Sequence, residues 1–177
     1  MFRRGDRGGR GGDGPGANTY QMKQKIMAIG DDFWIENGAG QRVYKVDGKA
    51  LRIRKTLHLQ DAAGNDKYLI KEKLVSVRDV MTIETDAGPV ATVKKALISP
   101  LRERYDVELA AGGSWKVQGN IVDHAYEIEG PAGKIAEVGK AWFRVRDTYG
   151  VQVAPGQDDA LVLAVTIVVD SMSHATR

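Results

Sequence analysis

The chain contains no cysteine. Disulfides and thiolate-bound metals are therefore excluded, and the composition suits a reducing cytoplasm. Histidine is scarce too: His58, His124 and His174 show no HxH or HExxH spacing, so no metal site is expected. Ser76, Ser99, Ser114, Ser171 and Ser173 lack the GxSxG setting of an activated nucleophile. Asp123 and His124 are adjacent, which on a strand would send them to opposite faces and keep the acid from orienting the base. No catalytic residue and no cofactor follows from these residues.

Long apolar runs are missing as well. The longest, Ala160 to Val169, is broken by Thr166 and is about half of what a membrane-spanning helix needs. The opening "MFRRGDRGGRGG" has basic residues with no apolar stretch behind them, so a secretory signal is not expected. The formal net charge is only +3. Arg3, Arg4, Arg7 and Arg10 against Asp6 and Asp13 leave residues 1–19 at +2, and 22 basic against 21 acidic residues leave the remainder at +1. So balanced a body is not the footprint of a whole-domain nucleic-acid binder.

What is present begins with that Gly/Arg-rich leader. With nothing aliphatic to pack, residues 1–19 are expected to be a disordered tail, and residues 20–177 a single domain. The tail's "RGGRGG" is suited by charge to RNA or anionic lipid, or serves as a flexible solubilising leader.

The domain repeats itself. "MTIETDAGPVATVKKA" (81–96) and "YEIEGPAGKIAEVGKA" (126–141) share eight of sixteen positions, each reading as strand, Ala-Gly turn, strand. The same shape recurs around Ile35, Leu59 and Val107, so that Ile35, Leu59, Ile83 and Val107 fall 24 residues apart and Ile128 follows after 21. Five hairpins, with "QMKQKIMAI" (21–29) before and "TYGVQVA" (148–154) after, predict about twelve antiparallel strands. Sandwich, propeller and closed barrel all manage the resulting edges. Units of 24 residues are too short for propeller blades of about 40 residues. A twelve-stranded barrel encloses more space than its own side chains fill, since about eight strands already use it up.

The run at 160–169 supplies a filling. Its valines and isoleucine favour a strand buried on both faces, but the break at Pro155-Gly156 and the capping residues Asp158 and Asp159 favour a helix. Asp159, Thr166, Asp170 and Ser173, spaced 7, 4 and 3, form one narrow helical stripe. The expectation is a helix over about 158–172, apolar almost all round and buried almost all round, inside a closed barrel of hairpins.

Cations are paired along the chain: Arg52 and Arg54, Lys71 and Lys73, Arg102 and Arg104, Arg144 and Arg146. Spacing of two on a strand shares one face, while Leu51, Ile53, Phe143 and Val145 take the other, so these eight residues are expected on the barrel exterior. There they are candidate ligands for phosphate head groups, or a solvated face offset by Asp47, Glu72, Asp79, Glu103 and Asp147.

From Tyr20 to Ser173 the sequence resembles the LURP-one-related family, related in fold to the Tubby C-terminal domain and to the phospholipid scramblases. The resemblance is carried by "MKQKIMAIGDDFWIENGAGQRVYKVDGKAL", "KEKLVSVRDVMTIE", "VATVKKALISPLRERYDV", "VQGNIVDHAYEIE" and, most distinctively, "AWFRVRDTYGVQVAPGQDDALVLAVTIVVD". It implies a twelve-stranded barrel around a C-terminal apolar helix, which agrees with the independent strand count. It also implies a non-enzymatic binding or scaffold domain that is cytoplasmic and able to lie peripheral to a membrane. The partner is then anionic phospholipid or another protein. An enzyme working from a surface cleft, or an RNA-contacting protein acting through the tail, are the rival classes.

Overall fold

The structure is a computed structural model that describes residues 17–23, 32–48, 56–73, 80–96, 103–140 and 148–175. Among these, twelve strands and one helix follow in order: β1 (Asn18–Lys23), β2 (Phe33–Asn37), β3 (Arg42–Gly48), β4 (Thr56–Asp61), β5 (Asp66–Glu72), β6 (Val80–Thr85), β7 (Gly88–Lys95), β8 (Arg104–Leu109), β9 (Ser114–Asn120), β10 (Ala125–Gly130), β11 (Gly133–Gly139), β12 (Thr148–Val153) and α1 (Asp159–Ala175). Each strand pairs antiparallel with its sequence neighbours, and β1 closes the barrel between β12 and β2. The closure rests on six pairs from Asn18↔Val153 to Lys23↔Thr148, and on Tyr20↔Asn37 and Gln21↔Glu36.

The repeat in the sequence is the repeat in the wall. Ile35, Leu59, Ile83, Val107 and Ile128 are all fully buried, one per hairpin. Immediately after four of them the register shifts: between Ile35 and Glu36, Leu59 and Gln60, Ile83 and Glu84, and Ile128 and Glu129. Such bulges bend a strand and increase its twist, which a closing sheet requires. In the two most similar hairpins Gly88 and Gly133 take the same φ of 124°, a conformation that only glycine adopts without strain.

The apolar run is a helix on the barrel axis. Residues 160–173 are buried without a break, and the nearest wall strands are β5, β6, β7 and β12. The aliphatic side chains from Leu161 to Val169 contribute roughly 1.5–3 kcal/mol each by leaving water, a sum on the order of a whole domain's net stability. Asp158 caps the helix: its Oδ1 accepts from the Leu161 N–H at 3.0 Å, and its carbonyl accepts from Val162 N at 3.0 Å. The helix begins one residue after the expected 158 and runs three residues past 172. Asn18 and Thr19 belong to β1 rather than to a tail, because their backbone groups complete the ladder with β12. Residues 1–16, and the 24–29 part of the first expected strand, lie outside the described residues.

Strand direction divides the connections between two rims. Residues 38–41, 62–65, 86–87, 110–113, 131–132 and 154–158 join strands at the rim where α1 starts, here the turn rim. The strand ends flanking 24–32, 49–55, 73–79, 96–103, 121–124 and 140–147 all lie at the opposite, connector rim, where α1 ends.

Candidate functional site

Of the eight cations expected on the exterior, Lys71, Lys73 and Arg104 are described; Arg52, Arg54, Arg102, Arg144 and Arg146 lie outside the described residues, as do the two Val-Arg-Asp segments at 77–79 and 145–147. Lys71 and Arg104 point outward, each beside a buried neighbour in its strand, Ile70 and Tyr105. Both meet carboxylates: Lys71 Nζ lies 2.7 Å from Glu84, and Arg104 lies 3.1 Å from Asp106. Lys94 with Glu108 (2.8 Å), Lys45 with Asp32 (2.7 Å) and Lys134 with Glu127 (2.6 Å) repeat the pattern around the wall. The hydrogen bond from Lys71, with a second from Thr82, holds the Glu84 carboxyl below the usual range despite partial burial. These wall cations are therefore locally neutralised. Lys73, one residue past β5, is exposed and makes no ion pair among the described residues.

At the turn rim, α1 opens into a group of phenols. Tyr68 donates to Asp158 at 2.7 Å; Tyr20 donates to Asp159, which also accepts from Asn18 Nδ2 at 2.7 Å. Tyr44 completes the group, its ring 6.2 Å from that of Tyr20. Tyr20, Tyr44 and Tyr68 stand 24 residues apart, the same period as the core anchors, so the repeat brings them together on β1, β3 and β5. Burial first, and then the aspartate each one donates to, push the Tyr20 and Tyr68 hydroxyls well above the usual tyrosine range.

The connector rim hides the opposite arrangement. His124 and Asp170 are 3% and 2% exposed, and the ring donates through Nε2 to Asp170 Oδ1 at 2.7 Å. The ring stacks on Tyr149 with centroids 4.2 Å apart. His124 is the one non-glycine residue with positive φ among the described residues, at 51°, a region uncommon outside Gly, Asn, Asp and His. It is not on a strand at all: the adjacency argument against Asp123 fails because both close the turn 121–124, where Asp123 bonds Asn120 at 2.7 Å instead. Ser173 donates to the Asp170 carbonyl at 2.9 Å, and His174 Nδ1 to the same carbonyl at 2.8 Å. His124 Nδ1, Asp170 Oδ2 and the Tyr149 hydroxyl are buried with no hydrogen-bond partner among the described residues. Burial, and then the Asp170 charge, drive the acidity of Tyr126 and Tyr149 far below that of ordinary tyrosine. The helical stripe seen in the sequence thus faces polar wall groups rather than water. An aspartate inside a buried helix signals a partner, but nothing in the sequence says that the partner is 46 residues away.

Among the described residues no group of three or more His, Asp and Glu is placed to hold a metal ion. No helix among them is long and apolar enough to cross a membrane.

No curated protein matches the sequence. A crystal structure of a protein from Arabidopsis thaliana shares the fold, with a TM-score of 0.65 over 90% of this chain and 93% of that one, at 17% identity. The model of the LURP-one-related family matches residues 18–170, from the first strand of the barrel to the buried Asp170, and the chain belongs to that family.

Proposed function

We propose that this chain is a non-enzymatic binding domain that engages anionic phospholipid, lying in the cytoplasm and peripheral to a membrane. The observation that supports the reading is strand direction, because the segments that follow strand ends at the two rims differ in sequence charge. The six segments joined at the connector rim contain eleven Lys and Arg against six Asp and Glu, whereas those at the turn rim contain Asp86 and Asp158 and no base. The segments holding Arg52, Arg54, Arg102, Arg144 and Arg146, together with Lys73, all depart from strand ends on the connector rim. Each cation near an acidic membrane contributes about 1 kcal/mol. Lys71 and Arg104 join this set only at the expense of their present carboxylate partners.

Co-sedimentation with vesicles, with and without phosphoinositide, tests the reading. Binding at low ionic strength that fades as salt shortens the screening length supports it. Protein left in the supernatant with every anionic composition rejects it.

A further inference from the structure

We propose that Asn37 is a site of spontaneous deamidation at the barrel seam, held in check by the turn that contains it. The chain has four asparagines, Asn18, Asn37, Asn65 and Asn120, and only Asn37 precedes a glycine. The chemistry needs no partner beyond water. The Gly38 peptide nitrogen attacks Asn37 Cγ and a C–N bond forms. The Cγ–Nδ2 bond breaks, and Nδ2 leaves as ammonia with the proton that Gly38 gave up. Water then opens the five-membered succinimide at either carbonyl. The product is aspartate or, with the main chain rerouted through the side chain, isoaspartate. Glycine leaves the attacking nitrogen unshielded, and the space beside it is open, the Thr19 carbonyl lying 3.8 Å from where a Cβ would stand.

The folded turn opposes the first step. Asn37 Oδ1 accepts from the Ala39 and Gln41 N–H groups, both at 3.0 Å, and Nδ2 donates to Gln41 Oε1 at 2.9 Å. The backbone of Asn37 is bonded as well: its N–H donates to the Gln41 carbonyl and its carbonyl accepts from Gly40, both at 2.9 Å. Ring closure has to turn the face of the amide onto the Gly38 nitrogen. A planar group held at both ends turns only when those bonds open. Deamidation of the folded chain therefore proceeds through local opening of the β2–β3 turn.

The next hairpin already carries the acid. Asp61 stands 24 residues on and accepts from the N–H groups of Ala63 at 3.0 Å and Asn65 at 2.9 Å, the same two offsets. Gly64 donates to its carbonyl as Gly40 does to that of Asn37, and both glycines have positive φ, 87° and 76°. The Asn65 side chain, and then the backbone N–H groups, hold the Asp61 carboxyl below the usual range. Aspartate at position 37 fits such a turn, with Gln41 turning its amide to donate as Asn65 does. Isoaspartate does not, because it lengthens the main chain by one carbon. The β1–β2 side of the seam rests on two pairs, Tyr20↔Asn37 and Gln21↔Glu36, and the added atom moves one of them out of register.

In the test, the full chain is incubated at mildly alkaline pH, folded or in urea, and the peptide spanning Asn37 is followed by mass spectrometry. It should gain one mass unit in urea, and gain it at least roughly tenfold more slowly when folded. Gln41→Ala removes the partner of Nδ2 and should speed the folded reaction severalfold while leaving the rate in urea unchanged. Asn37→Asp should keep the urea midpoint of the parent chain. The isolated isoaspartate form should instead lose hydrogen-exchange protection in β1 and β2. No reaction at Asn37 in urea overturns the site. Equal rates folded and in urea overturn the restraint, since the two N–H groups on Oδ1 would then be stabilising the oxyanion of the attack. A lowered midpoint for Asn37→Asp, or full protection in the isoaspartate form, overturns the reading of the products.

Discussion

The two ends of α1 solve the same problem in different ways. At the turn rim, Asp158 and Asp159 sit where Tyr20, Tyr68, Asn18 and the first helical N–H groups all reach them, and Asp158 remains exposed. At the connector rim, Asp170 is enclosed, shares one oxygen with His124 and leaves the other without a described partner. Tyrosines line both ends, and a carboxylate weakens their acidity at both. What differs is access to water. A carboxylate that can fall back on solvent is a modest contributor, whereas one that cannot depends on its imidazoles, here His124 at 2.7 Å and His174 at 3.6 Å. The end without access to water is therefore the one whose loss is felt most.

The largest effect should come from removing the contrast altogether, by putting a charge midway between the ends. Val165 is fully buried, and an unpaired carboxylate there costs several kcal/mol, on the scale of the whole net stability. Val165→Asp is expected to abolish cooperative unfolding, as followed by circular dichroism. Next, His124→Ala takes from the buried Asp170 carboxyl its 2.7 Å partner and leaves only His174, at 3.6 Å, with an expected loss of about 3–5 kcal/mol in urea unfolding. Adding Asp170→Asn should recover part of it, because a neutral amide needs no cation. A loss below about 1 kcal/mol for His124→Ala would mean that water reaches the pair, and the contrast between the ends would collapse.

Alkaline pH probes the two ends together. Folding raises the tyrosine pKa values above their unfolded value near 10. Below that pH both states keep the proton and the contribution is whole; above it the unfolded chain deprotonates first, so stability falls as pH rises. Each such tyrosine can account for at most about 1.4 kcal/mol per pH unit, and Tyr20→Phe or Tyr68→Phe should reduce the slope measured between pH 9 and 11. At the turn rim, Asp158→Ala should cost about 1 kcal/mol as a lost cap, clearly less than His124→Ala in the same assay. Smallest of all, Lys71→Gln should change stability by less than about 1 kcal/mol, since exposed ion pairs contribute little. A larger loss would show the wall to be more tightly organised than its exposure suggests.

The barrel was readable because its instructions are local. Alternation, glycine turns and a 24-residue period in Ile35, Leu59, Ile83 and Val107 specify strands and register within each hairpin. An apolar run behind Pro155-Gly156 and two aspartates specifies a helix that must be covered. The same period also carried Tyr20, Tyr44 and Tyr68 to one rim, a signal present in the sequence though not recognised beforehand. The cations were legible as outward-facing at Lys71 and Arg104, but not their carboxylates, because Glu84 and Asp106 become neighbours only through strand pairing and side-chain rotamers.

Spacing and composition were thus enough for hairpins, closure and a covered helix, since each depends on residues a few positions apart or on bulk hydrophobicity. The union of His124 with Asp170 and the pairing of Lys71 with Glu84 depend on strand direction and on contacts between distant parts of the chain. Those were settled only when the sheet closed around α1, because closure alone brings such groups within hydrogen-bonding or Coulombic range.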